Sequence, residues 1–377
     1  MTTQLGVVST SRPARIFHID NLRVFLTFLV VAHHSAAPYG NLPLWPNWRQ
    51  PASASAALPL DLLILVDQTF FMGLFFLLSG FFAPAGVDRR GPGKFAVERL
   101  KRVGIPFLAF VVLLRPLFVL PTYLDLPSAT RPSFAVYYFT SWLIGPAWFL
   151  EVLLIFCLAY ALLRHLRTTA EPVRSRPLRR RDLLAFVLVL AAATYAWRIF
   201  VPFGSYEPVL ALPSPAYMPQ YVLFFAAGVA AYRRRWLMSL PRRSGWFGVL
   251  LVVVSSVPMA LGGYRGLAAS GDLTVVSPVH LALALWESLF AVGVILVLLR
   301  VFERFVAGSS PLSRYLADNA FAVYLVHAPV IVGVVAVLHP LDAAPVPKFL
   351  LTLVLAAAGS WAISGALRRI RAVRAVV

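Results

Sequence analysis

The chain alternates between long apolar runs and short polar stretches, a pattern that predicts membrane-spanning helices. As an α-helix, a run of about 20 apolar residues crosses the roughly 30 Å hydrocarbon core of a bilayer. We expect ten spans, near residues 21–38, 58–82, 104–124, 146–165, 183–202, 217–232, 246–263, 280–302, 316–338 and 347–367. The predicted fold is an all-α integral membrane bundle of about ten transmembrane helices.

Basic residues give these spans an expected orientation. They cluster at alternate connections, such as 83–103 and 233–243, while the connections between hold one basic residue or none. Lys and Arg are retained on the cytoplasmic side of membranes. Both termini are therefore expected in the cytoplasm, with an N-terminal segment 1–20, a transmembrane domain 21–367 and a basic tail 368–377.

Composition supports a multi-pass membrane protein. Hydrophobic residues make up 60% of the chain and charged residues only 13%, which is atypical of soluble globular domains. The formal net charge of +19 is spread over alternate loops, so we expect the lipid bilayer, and no nucleic acid, as a partner. The single cysteine, Cys157, lies in an apolar run and cannot form an intrachain disulfide.

Two ionisable residues interrupt the first apolar run. Arg23 and His34 are eleven residues apart, which on an α-helix places them on nearly the same face, about 16 Å apart along the axis. An ionisable group in a bilayer is costly unless it faces a protein interior or an aqueous cavity. The pair therefore indicates a polar path through the bundle.

Further ionisable residues are predicted to lie at one depth, between the bilayer centre and its outer face. They occur on six different spans and are His34, Asp67, Arg115, Glu151, Glu287 and His327. Such a belt indicates a shared cavity. Structural ion pairs between helices are the alternative interpretation, especially for Asp67, Arg115 and Glu287.

His34 is the candidate general base, because neutral imidazole accepts a proton near neutral pH and can return it. Glu151 would orient the ring if it reaches His34, or it is simply an acid at a helix end. The sequence has no Gly-x-Ser-x-Gly elbow and no His-Glu-x-x-His or Cys-x-x-Cys spacing. We therefore expect direct transfer to a hydroxyl without a metal or a bound cofactor.

Several segments resemble the acyltransferase-3 family of bacterial integral-membrane O-acyltransferases, which includes glycan acetylases and the glucan succinylase group. Asp20-Asn-Leu-Arg23 with His34 matches the family's Arg, ten residues, His pattern. The other similar segments are the aromatic run 70–82 with Ser79-Gly80, Arg99-Leu-Lys-Arg102 before Pro106, Ala147-Trp148-Phe149-Leu150-Glu151, and Tyr324-Leu-Val-His327.

The resemblance implies an acyl-CoA co-substrate from the cytoplasm, a glycan or related hydroxylated acceptor outside, and a location in the bacterial inner membrane. Arg99 and Arg102 would attract the phosphates of CoA, or they are ordinary topology-setting arginines. Arg23 would steady the donor, or it extends towards lipid headgroups.

The remaining candidate residues belong to the acceptor and the transition state. Tyr324, His327 and Arg115 are candidate donors to the oxyanion, and Trp148 would stack on a sugar ring or act as an interfacial anchor. Two other classes of protein compete with the enzyme: a proton-coupled secondary transporter and a non-catalytic component of glycan export. The transporter predicts inverted halves and Gly- or Pro-broken helices in matching positions, neither of which the sequence shows. The export component predicts a large external loop or an appended domain, whereas the outer connections are short.

Overall fold

The computed structural model describes residues 15–46, 48–167, 173–238, 240–263 and 277–376. Most of the predicted segment 1–20 lies outside them. Within the described residues the regular structure is helical, apart from one isolated bridge between Glu207 and Leu212. The described part of the chain is therefore all-helical.

The first half of the chain contains helices α1 to α8. They are α1 (Phe17–Ala36), α2 (Ala54–Gln68), α3 (Phe71–Arg90), α4 (Pro92–Arg99), α5 (Ile105–Ala109), α6 (Arg115–Leu124), α7 (Phe134–Thr140) and α8 (Trp148–Leu166). Two π-helical segments, Leu100–Gly104 and Phe110–Leu114, join α4, α5 and α6 into one continuous helical segment.

The second half contains α9 to α15. They are α9 (Arg180–Arg198), α10 (Met218–Arg233), α11 (Ser244–Pro258), α12 (Pro278–Phe305), α13 (Pro311–Leu338), α14 (Pro345–Leu367) and the short α15 (Arg371–Val376). Ser277 and Ser310 cap α12 and α13, each followed by a proline at the first helical position, where a missing N–H costs no hydrogen bond.

Seven described segments are long and apolar enough to cross a membrane. Three of the ten predicted spans, those over α1, α9 and α10, are not among the seven. Helix α1 carries Asp20, Arg23 and two adjacent histidines, and α10 has only 16 residues. The count of ten spans and the cytoplasmic position of both termini stay predictions.

The predicted span 58–82 consists of two helices, because the helix is interrupted at Thr69 and Phe70. The carbonyl of Thr69 accepts a hydrogen bond from the Gln220 side chain at 2.5 Å, and the Gln68 amide donates to Tyr221 at 3.2 Å. Side chains of α10 and its neighbourhood thus satisfy polar groups at the break, as burial in a membrane requires.

Helices α3 and α10 pack with their backbones in contact. A Cβ added at Gly80 would overlap the carbonyl of Phe225, and one added at Gly228 would overlap the carbonyl of Leu77. Small residues at such positions let two membrane helices approach closely. Helix α1 packs between α13, α14 and α12, and His34 lies beside His327 of α13.

Candidate active site

The centre of the candidate site is a contact between two histidines from opposite ends of the chain. Nδ1 of His34 on α1 lies 2.9 Å from Nε2 of His327 on α13, and the two rings stack with centroids 5.0 Å apart. His327 is fully buried. The structure therefore brings together two members of the belt that the sequence placed at one depth.

The partners of this pair favour one arrangement of its protons. Nδ1 of His327 is 2.7 Å from the carbonyl of Tyr324, which only accepts, so this nitrogen carries the hydrogen. Nε2 of neutral His327 then accepts from Nδ1–H of His34. The remaining nitrogen of His34, Nε2, keeps its lone pair, which is the state that a general base needs.

His33 forms a second pair beside the first. Its ring meets the His34 ring edge-on at 5.2 Å, stacks on Phe71 at 5.0 Å, and places Nδ1 3.9 Å from Oδ2 of Asp67. Both atoms are buried without a hydrogen-bond partner in the described part of the chain. The sequence placed Asp67 in the belt but did not connect it to His33.

A cavity of about 390 Å³ lies near the histidine pair. Four of the predicted site residues line it: Arg23, Arg99, Arg102 and Tyr324. Val376, close to the C-terminus, lines the same cavity, so one end lies on the predicted cytoplasmic side. Tyr324 lies 13 residues into α13, about 20 Å along its axis. The cavity therefore extends deep into the bundle, to the residue whose carbonyl holds His327.

Three guanidinium groups give the cavity a positive charge. The Arg23 side chain is 46% exposed and has its nearest carboxylate, Asp20, at 3.9 Å. Arg99 lies over the Phe95 ring at 4.9 Å, and Nε of Arg102 is 3.3 Å from Glu98. Arg23 lines the cavity, and both interpretations of this residue, donor binding and contact with lipid headgroups, stay predictions.

Two candidates lie apart from the histidine pair. Arg115 is buried and donates to the carbonyls of Leu143 at 2.9 Å, Tyr138 at 2.8 Å and Ser141. These bonds anchor the end of α7 and the segment after it. Glu151 is partly buried, and its Oε2 has no hydrogen-bond partner among the described residues. The histidine that the sequence paired with Glu151 instead bonds to His327.

The expected donors to an oxyanion are occupied by other partners. The Tyr324 hydroxyl donates to the carbonyl of Pro146, and Arg115 is held by three carbonyls. His327 uses both ring nitrogens, one towards Tyr324 and one towards His34. Trp148, the expected sugar-stacking residue, is buried and stacks on Tyr221 at 5.3 Å.

Glu287 belongs to a separate cluster. Its carboxylate is 2.7 Å from Nη1 of Arg198 and 3.3 Å from the hydroxyl of Tyr217, which donates to it. The Arg198 guanidinium also lies over the Phe203 ring at 3.7 Å. Glu287 thus forms an ion pair between α9 and α12, as in the alternative interpretation of the belt.

Comparison with known proteins defines the class to which this arrangement belongs. The sequence model of the acyltransferase domain matches residues 16–365, and the chain therefore belongs to the acyltransferase-3 family of membrane proteins.

Among known proteins, the chain is similar to several named glucans biosynthesis protein C. The proteins of Salmonella paratyphi A (strain ATCC 9150 / SARB42), Salmonella agona (strain SL483) and Salmonella enteritidis PT4 (strain P125109) are each 26% identical over 340 residues. These alignments cover 85% of this chain and 83% of each relative. No solved structure matches significantly.

Proposed function

We propose that the protein transfers an acyl group, acetyl or succinyl-like, from acyl-CoA on the cytoplasmic side to a hydroxyl of a glycan on the outer side. One observation carries this proposal: the arginine-lined cavity ends at Tyr324, whose carbonyl holds the histidine pair. The name of the Salmonella relatives favours a glucan as the acceptor. Their source favours the bacterial inner membrane as the location.

The cavity suits the donor because CoA carries its negative charge at one end and its thioester at the other. Arg99 and Arg102 would pair with the phosphates, since guanidinium matches phosphate geometry. Arg23 and Thr27 lie one turn apart on α1, and both line the cavity. Arg23 would bind the part of the donor that follows the phosphates. The thioester would then extend towards Tyr324, one helical turn from His327.

His34 would act as the base. Its Nε2 takes the proton of the acceptor hydroxyl while the oxygen attacks the thioester carbonyl, forming a C–O bond and a tetrahedral oxyanion. The oxyanion collapses, the C–S bond breaks, and the CoA thiolate takes the proton back from His34. His327 would hold the imidazole in the reactive tautomer and spread the charge of the imidazolium. Glu151 and Trp148 are proposed for the acceptor side, because Oε2 of Glu151 has no hydrogen-bond partner among the described residues.

The test is transfer across a reconstituted membrane. Proteoliposomes receive acetyl-CoA or succinyl-CoA on one face and a glucan oligosaccharide on the other, and mass spectrometry measures the acylated sugar. We expect the His34→Ala variant to insert normally and to lose transfer. His165→Ala, an exposed histidine at the end of α8, is the matched control and should retain it. Transfer by folded His34→Ala protein would remove His34 from the mechanism.

Proton-coupled transport is the second candidate, because the broken helix at Thr69 and Phe70 is a feature of such proteins. The same liposomes distinguish the two functions. Uptake of the intact sugar, without release of CoA and without a mass increase, would indicate transport.

A further inference from the structure

A cleft between α11 and α12 lies outside the candidate active site. It has a volume of about 510 Å³ and is lined by residues that include Arg242, Arg300 and Arg304. Arg242 precedes α11, while Arg300 and Arg304 lie in the last two turns of α12. The three arginines therefore converge at the ends of two neighbouring helices, on the predicted cytoplasmic side.

The charge in this cleft is unbalanced. Glu303 pairs with Arg300 across one helical turn. Among the described residues, Arg242 and Arg304 have no carboxylate partner, and both are exposed. The cleft therefore offers two uncompensated guanidinium groups to an anionic ligand. A third, from Arg300, lies in the same cleft.

The surroundings of the cleft are apolar and face the membrane. Trp246 is 78% exposed and Phe305 is 77% exposed, and both line the cleft beside the arginines. Only 22% of the apolar segment Ser244–Leu261, which contains α11, is buried inside the protein. The outer face of this helix therefore meets lipid chains. A ligand in the cleft would thus touch arginines at one end and an apolar helix surface at the other.

We propose that this cleft binds an anionic phospholipid, with its phosphate between Arg242 and Arg304 and its acyl chains along α11 past Trp246. Basic clefts between membrane helices on the cytoplasmic side suit such headgroups, because each arginine near the surface contributes to the attraction. A tryptophan such as Trp246 is common at the membrane–water interface. A soluble phosphate would use the arginines but gain nothing from the exposed face of α11.

Native mass spectrometry of the delipidated full-length protein tests the proposal. We expect one phosphatidylglycerol to bind per chain, and phosphatidylethanolamine to bind much more weakly. The double variant Arg242→Gln/Arg304→Gln should bind phosphatidylglycerol about 30-fold more weakly, as expected for the loss of two surface arginines. The control Arg314→Gln/Arg371→Gln removes the same charge from exposed positions outside the cleft and should bind normally.

A second measurement uses the unsubstituted arginines, so it does not depend on folding of the double variant. Phosphatidylglycerol with brominated chains should quench part of the tryptophan fluorescence, and Trp246→Phe should remove that part. Equal affinity of the double variant and the control, unchanged quenching in Trp246→Phe, or displacement of the lipid by millimolar glycerol phosphate would each overturn the proposal.

Discussion

Replacing His327 with leucine tests the proposed role of the histidine pair. The variant removes the acceptor that lies 2.9 Å from Nδ1 of His34 in a buried setting. Leaving a buried donor without a partner costs about 1–3 kcal/mol. That cost disfavours the tautomer in which Nε2 of His34 is free to act as a base. We therefore expect kcat to fall about 5- to 150-fold, since about 1.4 kcal/mol corresponds to a factor of ten.

The assay measures release of the CoA thiol in proteoliposomes at saturating acceptor. His327→Gln places an amide oxygen near the position of Nε2, so it should lose less activity than His327→Leu. KM for acyl-CoA should change little, because His327 does not line the arginine cavity. His165→Leu makes the same chemical change at an exposed position and serves as the control.

Two results would refute this reasoning. A folded His327→Leu protein with unchanged kcat would show that the tautomer of His34 does not limit the reaction. A loss confined to KM for acyl-CoA would show that His327 supports donor binding instead.

Three further predictions concern the donor site, the packing and the outer surface. Arg99→Gln should raise KM for acyl-CoA about 10- to 150-fold with little change in kcat, because a charge-assisted bond to phosphate is worth about 1.5–3 kcal/mol; an unchanged KM would exclude Arg99 from the donor site. Gly228→Ala should abolish recovery of monodisperse protein in size-exclusion chromatography, since the added Cβ overlaps backbone, whereas Gly333→Ala meets open space and should behave normally. The hydrogen bond from Arg49 lowers the pKa of Asp125, so this pair stabilises the fold above the usual carboxylate pKa and loses its effect as the pH falls through the lowered value. Both side chains are about half exposed, so Asp125→Asn should cost less than about 1 kcal/mol near pH 7 and nothing near pH 2 in thermal unfolding; an equal cost at both pH values would contradict the pairing.

Hydropathy and charge predicted much of what positions the site. The spacing of Arg23 and His34 on one helix predicts a polar path, and Arg23 lines a cavity with Arg99, Arg102 and Tyr324 that His34 does not line. The path from Tyr324 to His34 stays a prediction. A sequence gives depth in a membrane, because depth follows directly from the position of a residue along its helix.

Neighbours across helices could not be predicted in the same way. Nothing in a single sequence indicates that His327 would lie against His34 or that Glu287 would meet Arg198, because helix rotation and pairing depend on packing of the whole bundle. The break between α2 and α3 has a similar origin. Thr69 and Phe70 carry no glycine or proline signal, and the freed carbonyl of Thr69 is satisfied by Gln220, 151 positions away.

The contact between α3 and α10 has a consequence for the energetics of the cell. Where two backbones touch at Gly80 and Gly228, no file of water molecules can pass between them, so this seam does not conduct protons. A catalyst supplied from both faces of an energised membrane must avoid becoming a leak. In the proposed transfer across the membrane, a tight glycine seam of this kind would let the protein work without dissipating the proton-motive force.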